Sequence, residues 1–141
     1  MERRKFIKDG CVLCFAIGGS AALISLLESC SNYPVYKTKT ESKKVKVPLS
    51  QFELSDVVIA SPSDFPDDIA LFKIGEGKYR ALLMKCTHAD NPVQFNGDKF
   101  RCNLHGSVFN RSGSVEKGPA EKPLIELTTS VENNAVLVSL K

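Results

Sequence analysis

From Val47 onward, short apolar-rich runs separated by polar turns match strands and not helices. VPLSQFEL (47–54), DVVIAS (56–61), IALFKI (69–74), YRALLMK (79–85), KFRC (99–102), SVFN (107–110), PLIELTT (123–129) and AVLVSL (135–140) are rich in β-branched, leucine and aromatic residues. Turn-forming stretches separate them: SPSDFPDD, GEG, FNGD, RSGS and VENNA. No window of helical length places apolar residues at helical spacing. The pattern predicts an all-β domain of short strands over residues 47–141, with Asn96-Gly97 turning a hairpin.

Upstream the pattern changes twice. SNYPVYKTKTESKKVK is polar, lysine-rich and without apolar period, so residues 30–46 read as a tether whose lysines would rest against anionic lipid heads. Before it, CVLCFAIGGSAALISLL (11–27) is an uncharged, largely apolar run behind the basic leader MERRKFIKDG. At about 17 residues it sits at the short limit for a spanning helix, and Gly18-Gly19-Ser20 weakens its middle, which favours a cleaved signal over an uncleaved anchor helix.

Two details refine the address. Arg3 and Arg4, followed by Lys5, Phe6, Ile7 and Lys8, resemble the twin-arginine export signal. Leu27, Ser29 and Cys30 resemble the lipobox of bacterial lipoproteins, from which Glu28 departs. The expected organisation is a signal peptide over 1–29, a lipid-bearing Cys30 with its tether, and one domain at the periplasmic or outer face of a bacterial membrane.

Composition narrows the function. A chain of 141 residues holds one core, and a formal charge of +3 with lysines not interleaved among aromatics gives no footprint for nucleic acid. GEGKYR lacks the glycines and following helix of a phosphate loop, and FPDD reads as a solvated turn. Five cysteines remain to be placed. Cys11 and Cys14 fall in the signal and Cys30 is the anchor, which leaves Cys86 and Cys102. An exported protein would ordinarily join that pair as a disulfide. Each instead stands beside one of the only two histidines, in Cys86-Thr87-His88 and Cys102-Asn103-Leu104-His105. Two thiolates and two imidazoles suit either a tetrahedral zinc or a two-iron cluster. Zinc fingers usually contribute cysteines as one close pair and histidines as another, whereas here each segment supplies one of each.

These segments, with Gly106-Ser107 after the second, resemble the two binding boxes of the Rieske [2Fe-2S] family. VFNRSGSVEKGPAEKPL (108–124) is similar to the stretch that follows the second box there. The resemblance implies a Rieske-type antiparallel β domain with a two-loop cluster-binding subdomain. It implies Cys86 and Cys102 on one iron, His88 and His105 on the other, and Gly118-Pro119 in a loop covering the cluster. It further implies that Ser107 bonds a bridging sulfide, while Phe109 stands where high-potential members carry a tyrosine. In members from cytochrome bc-type complexes a disulfide braces the boxes; the corresponding positions here are Asn91 and Leu104.

The implied function is a membrane-tethered electron carrier that passes single electrons in a respiratory or other redox chain, between donor and acceptor proteins, a quinol or a c-type cytochrome among them. No catalysis by the chain alone is expected. The alternatives are a Rieske subunit of a quinol-oxidising or other multi-component oxidoreductase, and a zinc-binding structural module. An oxygenase would need further histidines for a catalytic iron, and both are already used.

Overall fold

The computed structural model describes residues 33–140. The chain forms β1 (Val35–Thr38), β2 (Thr40–Glu41) and β3 (Lys44–Pro48), makes one 3-10 turn at Leu49–Phe52, and continues through β4 (Val57–Pro62), β5 (Ile69–Gly75) and β6 (Lys78–Leu83). Four short strands follow: β7 (Val93–Phe95), β8 (Lys99–Cys102), β9 (Val108–Asn110) and β10 (Val115–Lys117). β11 (Glu126–Leu127), β12 (Thr129–Glu132) and β13 (Ala135–Ser139) complete the described chain.

These strands make three sheets, ordered β1-β4-β5-β6-β11, β10-β9-β8-β7 and β12-β13-β3-β2. The first lies between the other two, and its strands show why. Successive side chains of a strand face opposite ways. Val57, Ile59, Ala70, Phe72 and Leu82 enter one core with Phe95, Phe100, Cys102 and Phe109 of the β7–β10 sheet. Their neighbours Val58, Ala60, Ile69, Leu71, Ala81 and Leu83 enter a second core with Val45, Val47, Val136 and Val138, so the single core expected from chain length is two, divided by this sheet. A sheet covered on both faces needs strands without alternation, which is what VVIA, IALF and ALLM supply. Phe100 and Phe109 are fully buried, each contributing roughly 1.5–3 kcal/mol of transfer free energy.

The all-β expectation holds, but residues 33–46 are no tether. β1 pairs in parallel with β4 from Val35↔Ile59 to Thr38↔Pro62. β3 pairs along its length with β13. The lysines conceal the period: Lys44 and Lys46 are exposed and alternate with fully buried Val45 and Val47. Five lysines in ten residues read as solvated chain, yet two valines on one face suffice to dock a short strand. The strand expected over 47–54 also ends early, because the chain turns at Leu49 directly after Pro48. The expected export signal at Arg3 and Arg4 and the lipid anchor at Cys30 lie outside the described residues. Among the described residues no helix is long and apolar enough to cross a membrane.

One glycine ties the β9–β10 turn to β6 and to the segment at Leu124. Gly113 has φ +88°, and a Cβ there would come within 3.1 Å of Leu82 Cδ2 and 3.4 Å of Leu124 Cβ. Its carbonyl accepts from the Leu124 N–H at 2.8 Å, anchoring the chain just past Gly118-Pro119.

Candidate metal centre

The β7–β8 hairpin brings the two Cys/His segments together. Asn96 Oδ1 accepts from the N–H groups of Asp98 (3.1 Å) and Lys99 (2.8 Å), closing the predicted turn. β7 then pairs with β8 so that Val93 lies opposite Cys102. One loop enters this hairpin at Cys86 and the other leaves it at Cys102.

The two loops share one backbone scheme. Cys86 N–H donates to the carbonyl five residues on, Asn91 (2.7 Å), and its own carbonyl accepts from the residue four on, Asp90 (2.9 Å). Cys102 N–H likewise donates to Ser107 O (2.9 Å), and its carbonyl accepts from Gly106 N–H (3.0 Å). The fifth residue of each loop is left-handed: Asp90 at φ 54° and Gly106 at φ 80°. Gly106 has open space around it, so its backbone angle and not crowding is what favours glycine.

This scheme sets the donor atoms in two pairs. Cys86 and Cys102 are buried and unbridged, 1% and 3% exposed. His88 and His105 are exposed, with Nδ1 to Nδ1 at 3.2 Å and ring planes at 83°. Burial pushes the Cys102 thiol up, but the backbone N–H groups of Leu104 and His105, the Cys86 thiol and the Asn91 amide outweigh it, and the net shift is downward. The site is thus arranged to hold a thiolate.

A third segment covers the pair of loops. Ser107, wholly buried, accepts from Ala120 N–H at 3.0 Å, and Thr87 Oγ1 donates to Lys122 O at 2.5 Å. One hydroxyl from each loop therefore holds the segment that follows the cis Gly118–Pro119 bond. A cleft of about 490 Å³ opens beside it, lined by Thr87, His88, Pro119, Glu121 and Lys122. Phe109 is buried in the core beneath, and Leu104 is half-exposed at 54%.

The donor set fits a two-iron cluster better than a single ion. Among the described residues no three His, Cys, Asp or Glu side chains converge on one point, whereas a mononuclear tetrahedral site draws on four. A [2Fe-2S] centre with mixed ligation takes two thiolates on one iron and two imidazoles on the other. The two nitrogens, 3.2 Å apart, are close enough to be held by one metal ion.

All four predicted ligand positions, with Ser107, Phe109, Gly118 and Pro119, fall in or against this site. Sequence reasoning misses the contacts of Thr87 and Asn91. A signal for Thr87 exists, a hydroxyl directly after the first cysteine; the reach of Asn91 depends on a loop closure that spacing does not display.

Comparison with known proteins gives a consistent result. The family model described as the Rieske [2Fe-2S] domain matches residues 45–132. The cytochrome b6-f complex iron-sulfur subunit of Gloeobacter violaceus is 43% identical over 56 residues, covering 38% of this chain and 30% of that protein. Iron-sulfur subunit 2 of the same complex from Nostoc sp. is 29% identical over 96 residues, covering 64% and 52%. This chain thus spans about a third to a half of those relatives. The crystal structure of the cyanobacterial plasma membrane Rieske protein PetC3 from Synechocystis PCC 6803 superposes with a TM-score of 0.54 at 27% identity, covering 67% of this chain and 98% of that one.

Proposed function

The chain belongs to the Rieske [2Fe-2S] family, and from that premise we propose that it is a membrane-tethered single-electron carrier whose cluster is held by Cys86, Cys102, His88 and His105. The observation that carries this reading is the division of the four side chains into a buried thiol pair and an exposed imidazole pair on matched loops. When bound, the cluster supplies one-electron redox chemistry, at potentials of roughly −150 to +300 mV for this ligand type.

The protein's own groups set access and polarity. The cysteines lie in the core with Phe100 and Phe109, which keeps water from the sulfur side. The exposed histidines form the face at which a redox partner or quinol would meet the protein. With Nδ1 of each imidazole given to a metal, Nε2 would carry the ring N–H. Ser107 Oγ accepts from Ala120 N–H, so its hydroxyl proton is free to be donated toward sulfur. Donation of that kind raises the potential, and Phe109 withholds a further hydroxyl, which keeps the potential below the top of the family range.

Membrane attachment follows from Arg3, Arg4 and the lipid-accepting Cys30. A carrier assembled in the cytosol must cross folded, which is the property of twin-arginine export. The named relatives are subunits of cytochrome b6-f complexes, and this favours a second reading in which the domain works inside a quinol-oxidising complex.

Chemical analysis tests the proposal. Purified protein should carry two irons and two acid-labile sulfides per chain, and Cys30→Ala should release it from the membrane fraction. A colourless protein holding one zinc overturns the electron-transfer reading; a Cys30→Ala variant that stays membrane-bound overturns the anchor.

A further inference from the structure

We infer that Asn91 is a positioning residue for the cluster, whose side-chain amide bridges from the first loop to the Cys102 sulfur in the second and raises the reduction potential. This rests on the ligand assignment above.

The matched loops make Asn91 and Ser107 counterparts. Asn91 is the sixth residue of its loop and accepts the Cys86 N–H at 2.7 Å; Ser107 is the sixth of the other and accepts the Cys102 N–H at 2.9 Å. Each also carries a polar side chain. Ser107 turns to the covering segment and accepts from Ala120 N–H. Asn91 turns the other way, across the hairpin, and its Nδ2 stands 4.0 Å from Cys102 Sγ. The same nitrogen is 3.4 Å from the carbonyl of Pro92, its chain neighbour.

The chemistry has one direction. A metal-bound cysteine sulfur carries negative charge and can only accept, so the amide presents N–H to it. Bonds from neutral donors to charged acceptors are stronger than neutral pairs. Extra electron density on the cluster strengthens this bond, so it favours the reduced state. Asn91 is half-buried, which limits competition from water. In loop order it also joins the two segments that a disulfide joins elsewhere in the family, by a different route: to the ligand cysteine instead of to position 104.

The test is redox titration of the cluster-bearing protein with its reduced electron paramagnetic resonance spectrum, for wild type, Asn91→Leu and Asn91→Gln. Leucine keeps the branched shape and removes both N–H groups. At a fixed solution potential the reduced-to-oxidised ratio of Asn91→Leu should fall about tenfold, a shift of about 59 mV for one electron. An unchanged or higher potential in Asn91→Leu overturns the inference. If Asn91→Leu holds no cluster, Asn91→Gln decides: retention with a wild-type-like spectrum supports a donor role, and failure like leucine overturns it. A wild type without the two-iron signal would refute the ligand assignment itself, a separable outcome.

Discussion

The loops beginning at Cys86 and Cys102 have one backbone and different side chains, and the contrast separates what the cluster frame demands from what tunes it. Both close with the same pair of hydrogen bonds and both turn left-handed at the fifth residue. One meets that turn with Asp90, the other with Gly106. Histidine is the third residue of the first loop and the fourth of the second, an offset that coexists with the 3.2 Å approach of the two Nδ1 atoms. The sixth residues divide the remaining work, Ser107 fastening the covering segment and Asn91 reaching the opposite sulfur.

The strongest substitutions should act on both loops alike. Cys86→Ser or Cys102→Ser should drop bound iron from two per chain to nearly none by metal analysis, since each removes a ligand from one iron. Retention of two irons in either variant would deny that the loops act as a pair.

The fifth positions should respond with opposite sign. Gly106→Ala forces a Cβ into left-handed backbone and should cost about 1–2 kcal/mol. Asp90→Gly relieves the same conformation and should leave the urea midpoint near wild type or slightly above. Equal losses at the two positions would mean that the shared scheme is coincidental.

At the sixth position the two loops should part in kind. Ser107→Ala removes a donor for sulfur and leaves the buried Ala120 N–H without its acceptor, at about 1–3 kcal/mol. Both the midpoint potential and the unfolding midpoint should fall, whereas Asn91→Leu should move the potential more than the stability. Phe109→Tyr should raise the potential. A spectroelectrochemical titration that ranks these variants otherwise would reassign the donors.

The weakest effect lies outside both loops and serves as a control. Side-chain and backbone hydrogen bonds from Thr40 hold the exposed Asp64 carboxyl below its ordinary range. A depressed folded-state value means that the contribution is present above the unfolded carboxylate range and is lost as pH falls through the folded value. Thr40→Val should therefore flatten the acid limb of stability slightly without altering cluster content; a change in iron content would show coupling between the β2 edge and the site.

Much of this is legible in the amino-acid sequence. Runs such as VVIA and IALF, broken by turn residues, impose strands buried on both faces, and Asn96-Gly97 marks the hairpin that joins the loops. The ligand candidates follow from having only two histidines, each beside a cysteine. β1 and β3 are hidden because their stability comes from partners distant in sequence, β4 and β13, while the exposed face of β3 is lysine and that of β1 is Val35 and Lys37. Asn91 is visible only as a missing disulfide cysteine. Its reach to Cys102 depends on two backbone closures, each spanning five residues, and composition carries no trace of that geometry.

If two thiolates and two imidazoles from matched loops divide between two irons, nitrogen must be bound to the reducible iron. Electron–nuclear double resonance of the reduced wild-type protein reads this directly. A rhombic mixed-valence signal with two strongly coupled nitrogens, one from His88 and one from His105, is the expected result. A reduced cluster with no coupled nitrogen would mean that neither histidine is a ligand, and the division of the four side chains between two irons would fail.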